Sequence, residues 1–214
     1  DYSLKMVAWN KIWPSDQPCW RIIRQFREFQ FVPEDMAYFG PEASKGLAME
    51  ELLRLLHFRR EVIERKLAEN GLFLSLAQVI LTRRAVNAGL RRYPGIIHWL
   101  NALYRQQYEK LSELMNKMQV AQMPVYIQFL EAALYEARTG KQDKRFSDKA
   151  VVDALQETQK ARQVAIEAKS DKEFYSILKA KIWPVFEKLY QLAEQSTASQ
   201  ELFNKMIEDK QVSL

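Results

Sequence analysis

NGLFLSLAQVILTRRAVNAGLRRYPGIIHWLNALYRQQY, residues 70–108, is the stretch on which the reading of the whole chain turns. Its first half is nearly all apolar. Five arginines follow, Arg83, Arg84, Arg91, Arg92 and Arg105, and the stretch contains no Asp, Glu or Lys. Tyr93-Pro94-Gly95 interrupts it, because proline lacks an N–H and pushes the residue before it away from helical geometry. The sequence therefore predicts a helix over about Leu72–Arg92, buried in its first half and emerging at Arg83, then a second helix from Pro94-Gly95 to about Met118. Leu100, Leu103, Leu111, Leu114 and Met118 stand at helical spacing along the second.

Composition points the same way. Six glycines and seven prolines in 214 residues leave few tight turns, and 48% hydrophobic residues suffice for a packed core. Ala, Leu, Glu, Gln, Lys and Arg, the strong helix formers, dominate. No stretch alternates with period two, so no sheet is expected. The expected fold class is all-α: antiparallel helical hairpins in an irregular helical-repeat or bundle array of about 8–9 helices. The expected organisation is a Trp-rich N-terminal arm with the first helices at 1–46, followed by a helical-repeat-like domain over 47–214.

Away from the central stretch, Trp9, Trp13 and Trp20 stand close to Pro14 and Pro18. That pattern suits an arm docked on a partner, since Trp and Arg are enriched at interface hot spots. Trp20–Phe31 reads as an amphipathic helix with Ile22, Ile23, Phe26 and Phe29 on one stripe, and 33–46 as a loop holding Pro33, Gly40 and Pro41. A helix follows over about Leu47–Glu69, stopped by Asn70-Gly71 as a C-terminal cap. Further helices are expected at about Val125–Arg138, from Ser147-Asp148 to Ala168, from Ser170-Asp171 into Ile182-Trp183-Pro184, and over 185–195 and 199–210.

Pro94, Pro124 and Pro184 fall 30 and 60 residues apart, and Gly95–Pro124 would form a helical pair if it broke near Gln106-Gln107. Its second half, LSELMNKM at 111–118 followed by Gln122-Met123-Pro124, resembles the end of a pentatricopeptide repeat, and Phe129–Gly140 the first helix of a next unit. The resemblance covers about 95–140. It implies a degenerate pentatricopeptide-like array, an organellar and above all mitochondrial (matrix-side) setting, and one of two roles: structural subunit of an assembly, or single-stranded RNA binder. Ala154 stands where the register asks for another proline, and no polar pair occupies the base-reading positions, so no base-specificity residue is carried over.

The formal charge is +5, and it is unevenly placed. Residues 1–118 hold 18 Lys and Arg against 13 Asp and Glu, whereas 119–214 hold 14 against 14. Arginine offers a planar fork for carboxylate or phosphate. Arg83, Arg84, Arg91, Arg92 and Arg105, with Trp9, Trp13 and Trp20, are accordingly the expected partner-binding residues. Their target is an acidic protein surface or, less directly, anionic lipid headgroups. If the partner is RNA, the arginines meet phosphates and Tyr93, Trp99 or Tyr104 stack on bases.

Catalysis finds no footing in the sequence. His57 and His98 stand in no metal-ligand spacing, and no phosphate-binding loop, dinucleotide fingerprint or nucleophile elbow occurs. No catalytic residue, metal or cofactor is expected, and an all-α enzyme or ligand binder stands as the third reading, behind the structural subunit and the RNA binder. Cys19 is the single cysteine, which suits a reducing compartment. The longest uncharged runs, 70–82 and 118–130, are shorter than the roughly 20 apolar residues that span a bilayer, so no transmembrane segment is expected.

Overall fold

The computed structural model describes residues 5–9, 20–23, 26–57, 70–117 and 120–195, with backbone alone at 110–117 and 121. Most of this is helical. The helices are α1 (Pro33–His57), α2 (Gly71–Arg92), α3 (Ile97–Lys117), α4 (Val125–Thr139), α5 (Lys149–Glu167), α6 (Asp171–Ile177) and α7 (Trp183–Glu194). A π-helical segment, Leu178–Ile182, joins α6 to α7, so the described residues form six separate rods rather than the 8–9 expected. The π turn sits just before Trp183-Pro184. Pro184 has no N–H to donate back along the helix, and a local widening accommodates the lost bond. The helix expected at 199–210 lies outside the described residues.

The expectation of no sheet fails at residues 5–31. Three short strands, β1 (Lys5–Ala8), β2 (Arg21–Ile23) and β3 (Glu28–Phe31), form one sheet in the order β1-β3-β2. Trp20–Phe31 is thus a hairpin, not an amphipathic helix. Ile22, Ile23, Phe26 and Phe29 fit a helical stripe, but over twelve residues the same residues fit two strands with a turn between them. β-branched and aromatic side chains favour the strands. Arg27 turns the chain with φ 53°. Ile22 then pairs with Phe29 across the antiparallel ladder, while β1 lies parallel to β3. The side chain of Gln30 is fully buried; it accepts from Arg21 Nε at 2.8 Å and donates to Glu28 Oε2 at 3.3 Å.

Residues 33–46 are not a loop. Pro33 opens α1 where a missing N–H does no harm, and Glu34 and Asp35 sit in the first turn, at the positive end of the helix dipole. The turn signals Gly40-Pro41 mark an interruption within α1 instead: Gly40 takes φ 72° and Pro41 restarts the helix. Asn70 also changes role. Its Oδ1 accepts from the backbone N–H groups of Leu72 (3.0 Å) and Phe73 (3.2 Å), so it caps the start of α2, while the end of the helix expected over 47–69 lies outside the described residues. Asp148 caps α5 and Ser170 caps α6. α3 runs unbroken through Gln106-Gln107, where the repeat reading places a break.

The described residues fall into two compact units, and α2 and α3 each contribute to both. The first takes the described residues within 5–57 and 85–111; the second takes those within 70–84 and 112–195. The first unit is cored by Ala43 and Leu53 of α1, Ala85 and Val86 of α2, and Ile96, Leu100, Leu103 and Tyr104 at and along α3. Helices approach closely here. A Cβ built on Gly46 would stand 2.4 Å from the Trp99 carbonyl oxygen and 2.7 Å from Leu103 Cβ. One built on Gly89 would meet the Leu53 side chain. In the second unit Phe129, Phe174 and Phe186 are fully buried, and Phe73 lies edge-on to Tyr175 and Trp183, with ring centroids 5.8 and 5.1 Å away.

Gly46→Ala therefore sets a gain in helix propensity of about 1 kcal/mol against overpacking of about 1–3 kcal/mol. The obstacle is backbone of α3, which cannot rotate away, so overpacking wins. Urea denaturation should show a net loss for Gly46→Ala and a smaller one for Gly89→Ala, where the flexible end of Leu53 takes up part of the clash.

Candidate functional site

The five arginines of the central stretch meet different fates. Arg84 is internal structure. Its Nη1 donates to Asp171 Oδ1 at 2.8 Å, and its guanidinium lies 5.8 Å from the centre of the Phe174 ring. Both side chains are mostly out of water, at 19% and 27% exposure, and Asp171 sits in the first turn of α6, where the helix dipole also favours its charge. Arg84 is thus corrected from a partner-binding residue to one that fastens α2 to α6. The expectation fails because its counter-ion lies 87 residues away along the chain.

Arg83 is half-buried and lines a groove of about 420 Å³ bounded by α2, α4 and α5. Val79, Ile80, Ala133, Ala137 and Ile166 supply its apolar walls, and Lys160, Arg162 and Glu136 its charges. Arg162 is 7% exposed and fully engaged: Nη1 donates to Glu136 Oε2 (2.6 Å), Nη2 to the Leu155 carbonyl (2.9 Å) and Nε to Thr158 Oγ1 (3.2 Å). The one lining carboxylate is therefore already matched to a cation. Sequence reading missed this groove, because Glu136, Lys160 and Arg162 lie in the half of the chain with no net charge.

Arg91 and Arg92 are exposed in the last turn of α2, where cations suit the negative end of the helix dipole. Tyr93 follows, 45% exposed, with the Arg92 guanidinium 5.6 Å from its ring centre. Ile97, 42% exposed, opens α3. Arg105 is exposed as well, but Glu109, one turn further on, shares its exposed line and offsets its charge.

The other expected site residues are less available. Tyr104 is 5% exposed with its hydroxyl donating to Glu50 Oε1 at 3.0 Å, so it cannot stack on a base. Trp99 is half-buried against the first unit's core, with Lys45 Nζ 5.6 Å from its ring centre. Trp20 donates its indole N–H to Asp35 at 2.9 Å and packs edge-on to Phe29. The backbone N–H of Trp9 bonds to the Phe31 carbonyl at 2.7 Å, continuing the pairing of β1 with β3. Trp9 and Trp20 thus belong to the sheet that their own unit builds, and Trp13 lies outside the described residues.

No group of three or more metal-ligating side chains is present among the described residues. His57 Nε2 is buried and has no hydrogen-bond partner among the described residues, and burial, reinforced by the nearby Arg92 charge, holds the imidazole pKa below its usual 6.5. No helix among the described residues is long and apolar enough to cross a membrane. No known protein family, curated protein or solved structure matches this chain.

Two measurements separate these roles. Arg84→Gln should lower stability by about 1–3 kcal/mol, the range for a charge-assisted hydrogen bond, whereas Arg91→Gln should change it by less than about 0.5 kcal/mol. Equal effects in chemical denaturation would contradict the division. The folded state of His57 resists protonation, so its contribution to stability is full above about pH 6.5 and lost as pH falls toward its lowered pKa. An NMR titration should place the His57 midpoint below 6.5, and Arg92→Gln should move it upward.

Proposed function

We propose that this chain is a non-catalytic structural or adaptor subunit that meets an acidic protein surface through the exposed end of α2. The observation that carries this reading is the set Arg91, Arg92, Tyr93 and Ile97: two cations with no carboxylate partner among the described residues, beside an exposed aromatic and an exposed aliphatic side chain. Arginine and tyrosine are enriched where proteins meet, and lysine is depleted there. Arg105 is a secondary contact. The mitochondrial setting implied by the pentatricopeptide resemblance belongs to the same proposal.

Single-stranded RNA is the alternative ligand. It needs aromatic platforms as well as cations. Of Tyr93, Trp99 and Tyr104, only Tyr93 presents a largely open ring, which favours a protein partner.

The test is a double substitution, Arg91→Gln with Arg92→Gln, in the cell that makes the protein. The wild-type chain should migrate in native extracts as part of a larger particle whose size is unchanged by nuclease. The double variant should fold with an unchanged melting temperature and leave that particle, more completely as salt is raised. A particle that collapses on nuclease treatment assigns the arginines to RNA phosphate. A double variant that stays in the particle at every salt concentration removes the end of α2 from the interface.

A further inference from the structure

We infer that the groove between α2, α4 and α5 is a binding site for a small anionic amphiphile, a carboxylate or phosphate monoester carrying a short alkyl chain. The argument begins with Arg83. It is half-buried, yet no carboxylate, carbonyl or hydroxyl among the described residues accepts from it. Its charge therefore faces the groove without a counter-ion among the described residues and is available to an anion. The next residue, Arg84, shows the resolved case, with Asp171 at 2.8 Å.

The groove itself cannot supply the missing charge. Its single carboxylate, Glu136, lies 2.6 Å from Arg162, and Arg162 is more than nine-tenths buried and further held by Thr158 and the Leu155 carbonyl. That pair cancels and leaves Arg83 and Lys160 uncompensated on the lining. An anionic head therefore lowers the free energy of the groove, and a neutral lipid does not.

The walls specify the rest of the ligand. Val79, Ile80, Ala137 and Ile166 give the head an apolar neighbour surface, which a bare ion would leave unused. A volume of about 420 Å³ falls within the roughly 300–1,000 Å³ of small-molecule sites, with room for a head and a short chain but not for a folded partner. The oxyanion is placed against Arg83 and Lys160, and the chain against α2 and α4.

The experiment is an amide NMR titration of the whole chain with octanoate and with octyl phosphate, each below its micelle concentration, alongside inorganic phosphate and octanol. At least one of the two amphiphiles should shift residues 79–83 and 159–166 and bind at least tenfold more tightly than inorganic phosphate or octanol. The better of the two identifies the head as carboxylate or phosphate. Arg83→Gln should weaken that binding at least tenfold, and Arg83→Lys less. Ala137→Leu, which fills the groove from α4 and leaves every ion pair in place, should also abolish it, and this keeps the test decisive if Arg83→Gln lowers stability. Failure of both amphiphiles to bind, shifts confined to other residues, equal binding of inorganic phosphate or octanol, or amphiphile binding untouched by both Arg83→Gln and Ala137→Leu would each overturn the assignment.

Discussion

A guanidinium withdrawn from water must be given its hydrogen bonds and its counter-charge by the protein, and the second unit is arranged around that requirement. Arg162 meets it in full. Glu136 supplies the charge from α4, while Thr158 and the Leu155 carbonyl supply acceptors from α5 itself. The ion pair therefore ties α4 to α5 at a fixed place along both. Removing either partner would strand the other, and that penalty exceeds the net contribution of the pair. Arg84 and Asp171 do the same between α2 and α6, with Phe174 packed beside the guanidinium. Apolar packing holds these helices together, as the buried rings of Phe129, Phe174 and Phe186 show. The ion pairs add register, because they are directional where hydrophobic contact is not.

The first unit solves a different problem. Its helices meet at backbone distance, so small residues rather than charges decide their alignment. Gly46 lets α1 approach the Trp99 carbonyl, and Gly89 gives the Leu53 side chain its place against α2. Between these contacts the one buried carboxylate of α1, Glu50, is satisfied by the Tyr104 hydroxyl. Tyr104 is therefore used as a buried hydrogen-bond donor with an apolar body, a role well suited to a tyrosine in a core. The same geometry leaves Trp99 half-covered and turns Tyr93, beyond the end of α2, to solvent.

Local pattern made the long helices legible. α2, α4, α5 and α6 start within about two residues of where apolar period, proline and Ser or Asp capping place them. What failed was short or non-local. The twelve residues around Ile22 and Phe29 suit either period, and the parallel partner that settles the matter, β1, lies some twenty residues earlier with intervening sequence that gives no strand signal. Gly40-Pro41 has the composition of a loop and the structure of a kink, because a proline fits the first turn of a restarted helix. Asn70 suits both the end of one helix and the start of the next in sequence, and its side-chain bonds to Leu72 and Phe73 show that it starts α2. The arginines were visible as a group, but the counter-ion of Arg84 was not, since Asp171 belongs to a helix far along the chain.

Arg83 and Arg84 show why a charged stretch should not be read as one surface. Adjacent residues on a helix point about 100° apart. One of the pair therefore faces α6 and its carboxylate, and the other faces the groove, where no free carboxylate waits. Arg91 and Arg92 are different again, since they stand where the helix ends and water begins. There the helix dipole stabilises each by only about 0.3–1 kcal/mol, and salt screens even that. Folding consequently gains little from arginine at these two positions, and lysine would serve it nearly as well. A bidentate contact to a carboxylate is what distinguishes the two side chains. The fold engages three nitrogens of that fork at Arg162 and one at Arg84, whereas among the described residues no carboxylate is paired with Arg91 or Arg92.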